Sequence, residues 1–158
     1  MMRAMVIYDS NYGNTERVAR ALAQGLEKGG ATVDCLKIDQ VDAGDLRGYE
    51  FIAIGGPTHM IRPSKAMKGF LDGLGAVDLK GLKGFAFDTR NESRMNGRQW
   101  LVLENSAARV IEGVLKRRKV EIVRPRHSAK VEGREGPLDD GTEEEFMEIG
   151  AEIASKLR

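Results

Sequence analysis

Apolar positions along this chain follow two alternating rhythms. Met5-Val6-Ile7-Tyr8 and Phe51-Ile52-Ala53-Ile54 are continuous apolar runs, as strands buried on both faces should be. Between them, Val18, Ala19, Leu22, Ala23 and Leu26 recur at the spacing of a helix that buries one face. The pattern predicts strands near Met2–Tyr8, Thr32–Lys37, Phe51–Gly55, Gly84–Asp88 and Val120–Val123, the last resuming at Ser128–Val131 beyond Pro125. Helices are predicted near Thr15–Lys28, Ser64–Leu74, Glu104–Arg118 and Glu143–Leu157, with a short turn at Val41–Leu46. Gly29-Gly30 is a suitable stop for the first helix. Thr142-x-x-Glu145, following Asp139-Asp140, has the form of a capping box that opens the last.

Strand and helix alternate throughout, which predicts one α/β domain over residues 1–158: a parallel sheet wound with helices on both faces by right-handed crossovers. In such sheets ligands sit outside the carboxyl ends of the strands. Ser10–Thr15, Pro57–Ser64 and the stretch from Asp88 onward occupy those ends. The first of them, Ser10-Asn11-Tyr12-Gly13-Asn14-Thr15, leads straight from strand to helix, where unpaired backbone N–H groups and the helix dipole favour an anion. Gly13 permits a sharp turn, and Ser10, Asn11, Asn14 and Thr15 offer side-chain hydrogen bonds. The loop has neither the lysine of a nucleoside-triphosphate P-loop nor a Gly-x-Gly-x-x-Gly, so a single phosphate monoester fits best. The plainer alternative is a β-to-α turn in which Asn14 or Thr15 only caps the helix.

Composition narrows the function classes. The chain has 158 residues, 41% hydrophobic and 31% charged, as expected of an ordinary globular domain. Its 25 basic and 24 acidic side chains leave a net charge of +1, which gives no global pull toward nucleic acid or an anionic membrane. No apolar run is long enough to span a bilayer and no signal-peptide pattern opens the chain, so the expected location is cytoplasmic. The lone Cys35 excludes an internal disulfide and a multi-cysteine metal site; its place on a short predicted strand makes it a core residue. Two histidines, His59 and His127, are too few for a metal centre without carboxylates at helical spacing, and no metal is expected.

Tyr8-Asp9-Ser10-Asn11-Tyr12-Gly13-Asn14-Thr15-Glu16, with Ala19 beyond it, resembles the phosphate loop and first helix of flavodoxins. Phe51-Ile52-Ala53-Ile54-Gly55-Gly56-Pro57-Thr58 resembles the third strand and loop of flavodoxin-like and quinone-reductase relatives, and the broken fifth strand with its final helix follows the short-chain flavodoxin layout. The resemblance implies a three-layer sandwich with a five-stranded parallel sheet in the order 2-1-3-4-5, and flavin mononucleotide (FMN) as cofactor. It implies that Ser10, Asn11, Tyr12, Gly13, Asn14 and Thr15 hold the FMN phosphate. Pro57, Thr58, His59 and Met60 would then lie along one face of the ribityl chain and ring, with Asp88, Thr89 and Arg90 at the other side.

Departures from the family pattern bear on what the flavin does. Thr58-His59-Met60-Ile61 holds no glycine, so the peptide flip toward flavin N5 that flavodoxins use is missing. The third loop lacks the family's Gly-Asp pair and stacking tyrosine; Arg90 there would favour a reduced flavin anion, or else pair with Asp88 or Glu92. Arg94–Leu103, with the turn signal Asn96-Gly97 and with Met95 and Trp100, is either a flap that covers the flavin or joins two subunits, or an early start of the third helix. His59 could donate a proton near neutral pH or merely pack in its loop. Lys116-Arg117-Arg118-Lys119 suits a helix C-terminus, with docking of an acidic electron carrier as the alternative. The expected function is FMN-based electron transfer to a redox partner protein. The alternatives are an FMN-dependent NAD(P)H:quinone-type reductase acting on a small-molecule oxidant, and a binding module with weak or lost FMN binding.

Overall fold

The computed structural model describes residues 2–59, 62–91, 106–133 and 135–157. Four principal helices and six strands are found among them: β1 (Arg3–Tyr8), α1 (Asn14–Lys28), β2 (Thr32–Lys37), β3 (Phe51–Pro57), α2 (Lys65–Gly73), β4 (Lys83–Arg90), α3 (Ala107–Arg117), β5 (Glu121–Ile122), β6 (His127–Lys130) and α4 (Thr142–Lys156). The sheet is parallel throughout its named strands in the order β2-β1-β3-β4-β5, and β6 also pairs with β4. This is the predicted order, with the fifth strand in two pieces.

Period-two alternation sends side chains from each central strand to opposite layers. Ala4, Val6, Tyr8, Phe51, Ala53, Phe85 and Phe87 pack beneath α1 and α4 with Leu22, Leu26, Phe146 and Ile153. Met5, Ile7, Ile52, Ile54 and Ala86 pack on the other face with Met67, Leu71, Ile111 and Leu115 of α2 and α3. Both faces are therefore covered, which explains why the central strands read as unbroken apolar runs.

The split of the last strand has a definite cause. Pro125 has no N–H to give the ladder, and the next residue is held away from it. Arg126 donates both its backbone N–H and its Nη1 to the buried Glu112 carboxylate on α3, each at 3.0 Å. Two local expectations need correction. The final helix has no capping box: Gly141 is its N-cap with no side-chain bond, Thr142 is the first helical residue, and Glu145 pairs instead with His127 at 2.6 Å. Cys35 is only partly buried, packing against the core from the edge strand, although burial still pushes its thiol up to about 11.

Candidate functional site

The first strand-end segment folds into an open cradle. Asp9 N–H extends the β1–β3 ladder by one bond, to Gly55 O at 3.0 Å, and the chain then turns. Gly13 sits at φ +90° as the N-cap of α1, a conformation that β-carbons disfavour, and its N–H is taken by Ser10 Oγ at 3.0 Å. No side chain caps α1. Thr15, offered by the sequence as a possible cap, is buried and spends its hydroxyl on that of Thr89, 2.8 Å away across the sheet. The turn is therefore not a helix start capped by a side chain. Asn14 borders the cradle on the side of a hairpin, closed by the Val131–Leu138 bridge, that carries Gly136. Gly136 is at φ +114°, and a β-carbon there would come within 3.0 Å of Asn14 Oδ1. Asn11 and Tyr12 are exposed at the rim.

The second segment is fastened at both ends. Thr58 N–H donates to Thr89 O at 2.9 Å, and His59 and Arg62 exchange backbone bonds of 2.8 and 3.2 Å as an antiparallel bridge. Met60, assigned to the flavin from the resemblance, lies with Ile61 outside the described residues. Ser64 then caps α2, accepting Met67 N–H at 3.0 Å, and donates its hydroxyl to the buried Asp9 carboxylate at the root of the cradle. The cradle and the second loop are thus joined through one partly buried hydrogen bond.

Asp88, in the third segment, is fully buried and directed to another task. Its Oδ2 accepts the Thr58 hydroxyl at 2.7 Å and Ala108 N–H at 3.2 Å, while Thr58 Oγ1 accepts Ala107 N–H at 3.0 Å. Ser106 Oγ accepts Arg109 N–H at 3.1 Å. Three side chains from positions 58, 88 and 106 therefore fill the N-terminus of α3. Asp88 Oδ1 has no hydrogen-bond partner among the described residues. Half-buried Arg90 points elsewhere, into a cleft of about 690 Å³ that it lines with Arg126, His127, Lys130, Asp139 and Thr142. That cleft runs along β6 and the start of α4, beside the cradle rather than in it. Glu92, Met95, Trp100 and the rest of Arg94–Leu103 lie outside the described residues.

The structure thus brings Ser10–Thr15, Pro57–His59 and Thr89 to one edge of the sheet, and turns the Asp88 and Thr58 side chains inward to α3. Sequence reasoning passed over Asp9, Ser64, Ser106 and Gly136. Ser64 and Ser106 each precede a helix, a cap signal that was available; Gly136 carried no such signal, because its contact is with a residue far away in sequence. No described cluster of three or more histidine, cysteine or acidic residues could hold a metal, in line with the donor set of the cradle, which suits an anion. No described helix is long and apolar enough to cross a membrane.

Comparison with known proteins gives a consistent result. The flavodoxin family profile matches residues 6–149. A flavodoxin from Clostridium saccharobutylicum is 35% identical over 91 residues, 57% of each chain. An NAD(P)H dehydrogenase (quinone) from Cupriavidus metallidurans is 33% identical over 102 residues, 52% of this chain and 51% of that one. The chain thus spans little more than half the length of these curated relatives. Among solved structures, a flavodoxin from the domain Archaea superposes with a TM-score of 0.78 at 25% identity, covering 99% of both chains. Oxidised flavodoxin 1 from Bacillus cereus superposes at 0.81 with 21% identity over 99% of both.

Proposed function

The chain belongs to the flavodoxin family, whose members bind FMN, and from that premise we propose that it is an FMN-carrying electron-transfer protein working between redox partners. The observation that supports this most directly is the uncapped N-terminus of α1. Its backbone donors, backed by Ser10, Asn11 and Asn14 and by the helix dipole, form a donor set suited to a phosphate monoester. A Lys or Arg side chain is not needed there.

In this reading Ser10, Asn11, Tyr12, Gly13, Asn14 and Thr15 bind the FMN phosphate. Pro57, Thr58, His59 and Met60 line one side of the ring and Thr89 the other, while the Arg90 side chain is turned into the neighbouring cleft and contributes at most its backbone. Thr58 and Asp88 serve through the backbone and through the support they give α3, since their polar side-chain atoms are engaged there. FMN, when bound, accepts and donates electrons one or two at a time. The protein's part is to hold the phosphate in the cradle and to fix the two loops through Asp9–Ser64 and Thr58–Thr89.

A second reading, an FMN-dependent NAD(P)H:quinone reductase, is favoured by the 33% identity to the Cupriavidus protein. Purification followed by an absorbance spectrum and flavin release tests the shared premise: a colourless protein that refuses added FMN overturns both readings. Stopped-flow mixing of the yellow protein with NAD(P)H and a quinone then separates them. Turnover at enzymatic rates supports the reductase, and its absence supports the carrier.

A further inference from the structure

Between Glu50 and Asp72 the sequence holds no acidic residue, yet it holds His59, Arg62, Lys65 and Lys68. The structure exposes all four in and just after the second loop. Some described cations elsewhere are paired: Arg17 with Glu143, Arg20 with Glu16, Lys116 and Arg126 with Glu112, Arg124 with Glu152. Arg62, Lys65 and Lys68 enter no ion pair among the described residues. Their placement is also locally unfavourable. Lys65 and Lys68 occupy the first turn of α2, which has no acid, and there they face the positive end of the helix dipole. Being three apart, they also share a helix face and repel each other. By contrast the first turn of α4 carries Glu143, Glu144 and Glu145, as the dipole favours.

Local electrostatics set against the fold at one position, and obeyed at another, mark a surface kept for another purpose. This one adjoins the cradle, because the cap of the same helix, Ser64, is bonded to Asp9. We propose that His59, Arg62, Lys65 and Lys68 form the docking surface for an acidic electron-carrier protein, which meets the flavin edge at the second loop. The inference rests on the electron-transfer reading above and names the charge of its partner. A protein fits better than a small anion because these side chains stand on an open rim and line neither the cleft along β6 nor the one beside Leu46 and Leu79. Near-neutral overall charge does not oppose this. A local basic patch can steer an acidic partner even where the net charge is only +1.

The test titrates an oxidised, acidic [2Fe–2S] ferredoxin into the ¹⁵N-labelled, FMN-loaded protein at low salt and again at roughly 300 mM salt, where exposed charges are screened within about 6 Å. The expected result is amide perturbation centred on residues 59–68 and affinity that falls about tenfold with salt. In Arg62→Glu/Lys65→Glu/Lys68→Glu the perturbation is lost while quenching of FMN fluorescence on binding is unchanged. The milder Lys65→Gln/Lys68→Gln pair gives an intermediate loss. Perturbation centred on Lys116–Lys119 overturns the proposal, as does undiminished binding by the triple variant. So does a stronger response of residues 59–68 to NADPH alone than to ferredoxin. If the protein refuses FMN yet docks ferredoxin here, the surface stands and the electron-transfer reading falls.

Discussion

Helices α1 and α3 both begin at the carboxyl edge of the sheet, and the chain treats their N-termini in opposite ways. At α3, Thr58, Asp88 and Ser106 supply side-chain oxygens to the N–H groups of Ala107, Ala108 and Arg109. At α1 no side chain caps the helix; Ser10 takes only the N–H of Gly13, and Thr15 is drawn away to Thr89. Every helix start presents unpaired donors. Whether that start becomes a structural joint or a ligand site depends on where the sequence puts its acceptors. A closed end fastens two loops to a helix, whereas an open end keeps its donors for an anion.

Breaking the closed end has the largest expected effect. Asp88→Ala removes the acceptor for Ala108 N–H and the Thr58 hydroxyl inside the core, and should destabilise the flavin-free protein by about 3 kcal/mol in urea unfolding. Asn14→Ala, at the open end, should cost less than about 0.5 kcal/mol in the same measurement. A cost below about 1 kcal/mol for Asp88→Ala would show that the two ends are not built differently.

The open end can be probed with a change of opposite sign in stability and binding. Asn14→Asp places a carboxylate against the helix dipole and should stabilise the flavin-free protein by about 0.5 kcal/mol. The same charge repels a phosphate, so FMN affinity should fall at least about tenfold, with riboflavin affinity unchanged. Parallel falls for both flavins would place the phosphate elsewhere. Gly136→Ala refines the picture. Its φ of +114° and the 3.0 Å approach to Asn14 should together cost about 1–2 kcal/mol of stability. They should also weaken FMN several-fold more than riboflavin, read by fluorescence titration of the two flavins.

The open end was legible in the sequence and the closed end was not. Ser10–Thr15 lies in one stretch between a strand and a helix, so its chemistry could be read locally. The α3 joint draws on positions 58, 88 and 106, which meet only because β3 and β4 pair in the register Gly56 with Asp88 and Pro57 with Thr89. That register is a tertiary fact, and without it the capping task of the Asp88 side chain could not be read. The strand order followed from alternation and resemblance, while the misread cap of α4 shows a local rule overridden. Thr142-x-x-Glu145 has the right letters, but Gly141 at φ +82° ends the turn before Thr142 and His127 recruits Glu145. Capping motifs state which bonds a helix end can make; the neighbours decide which it does make.

At Ser106 the expected effect falls on stability alone, and it sharpens the comparison because Ser106 belongs to the closed end yet touches nothing in the cradle. Its Oγ accepts a single N–H, that of Arg109. Ser106→Ala should therefore cost about 1 kcal/mol of stability, the usual worth of an N-cap, and leave the affinity for FMN unchanged. With Asp88→Ala in place the joint is already loosened, so the second substitution should cost less than it does alone, since neighbours within one network are not additive. Full additivity in the double variant would mean that Ser106 and Asp88 hold α3 independently. The closed end would then be two separate caps rather than one joint.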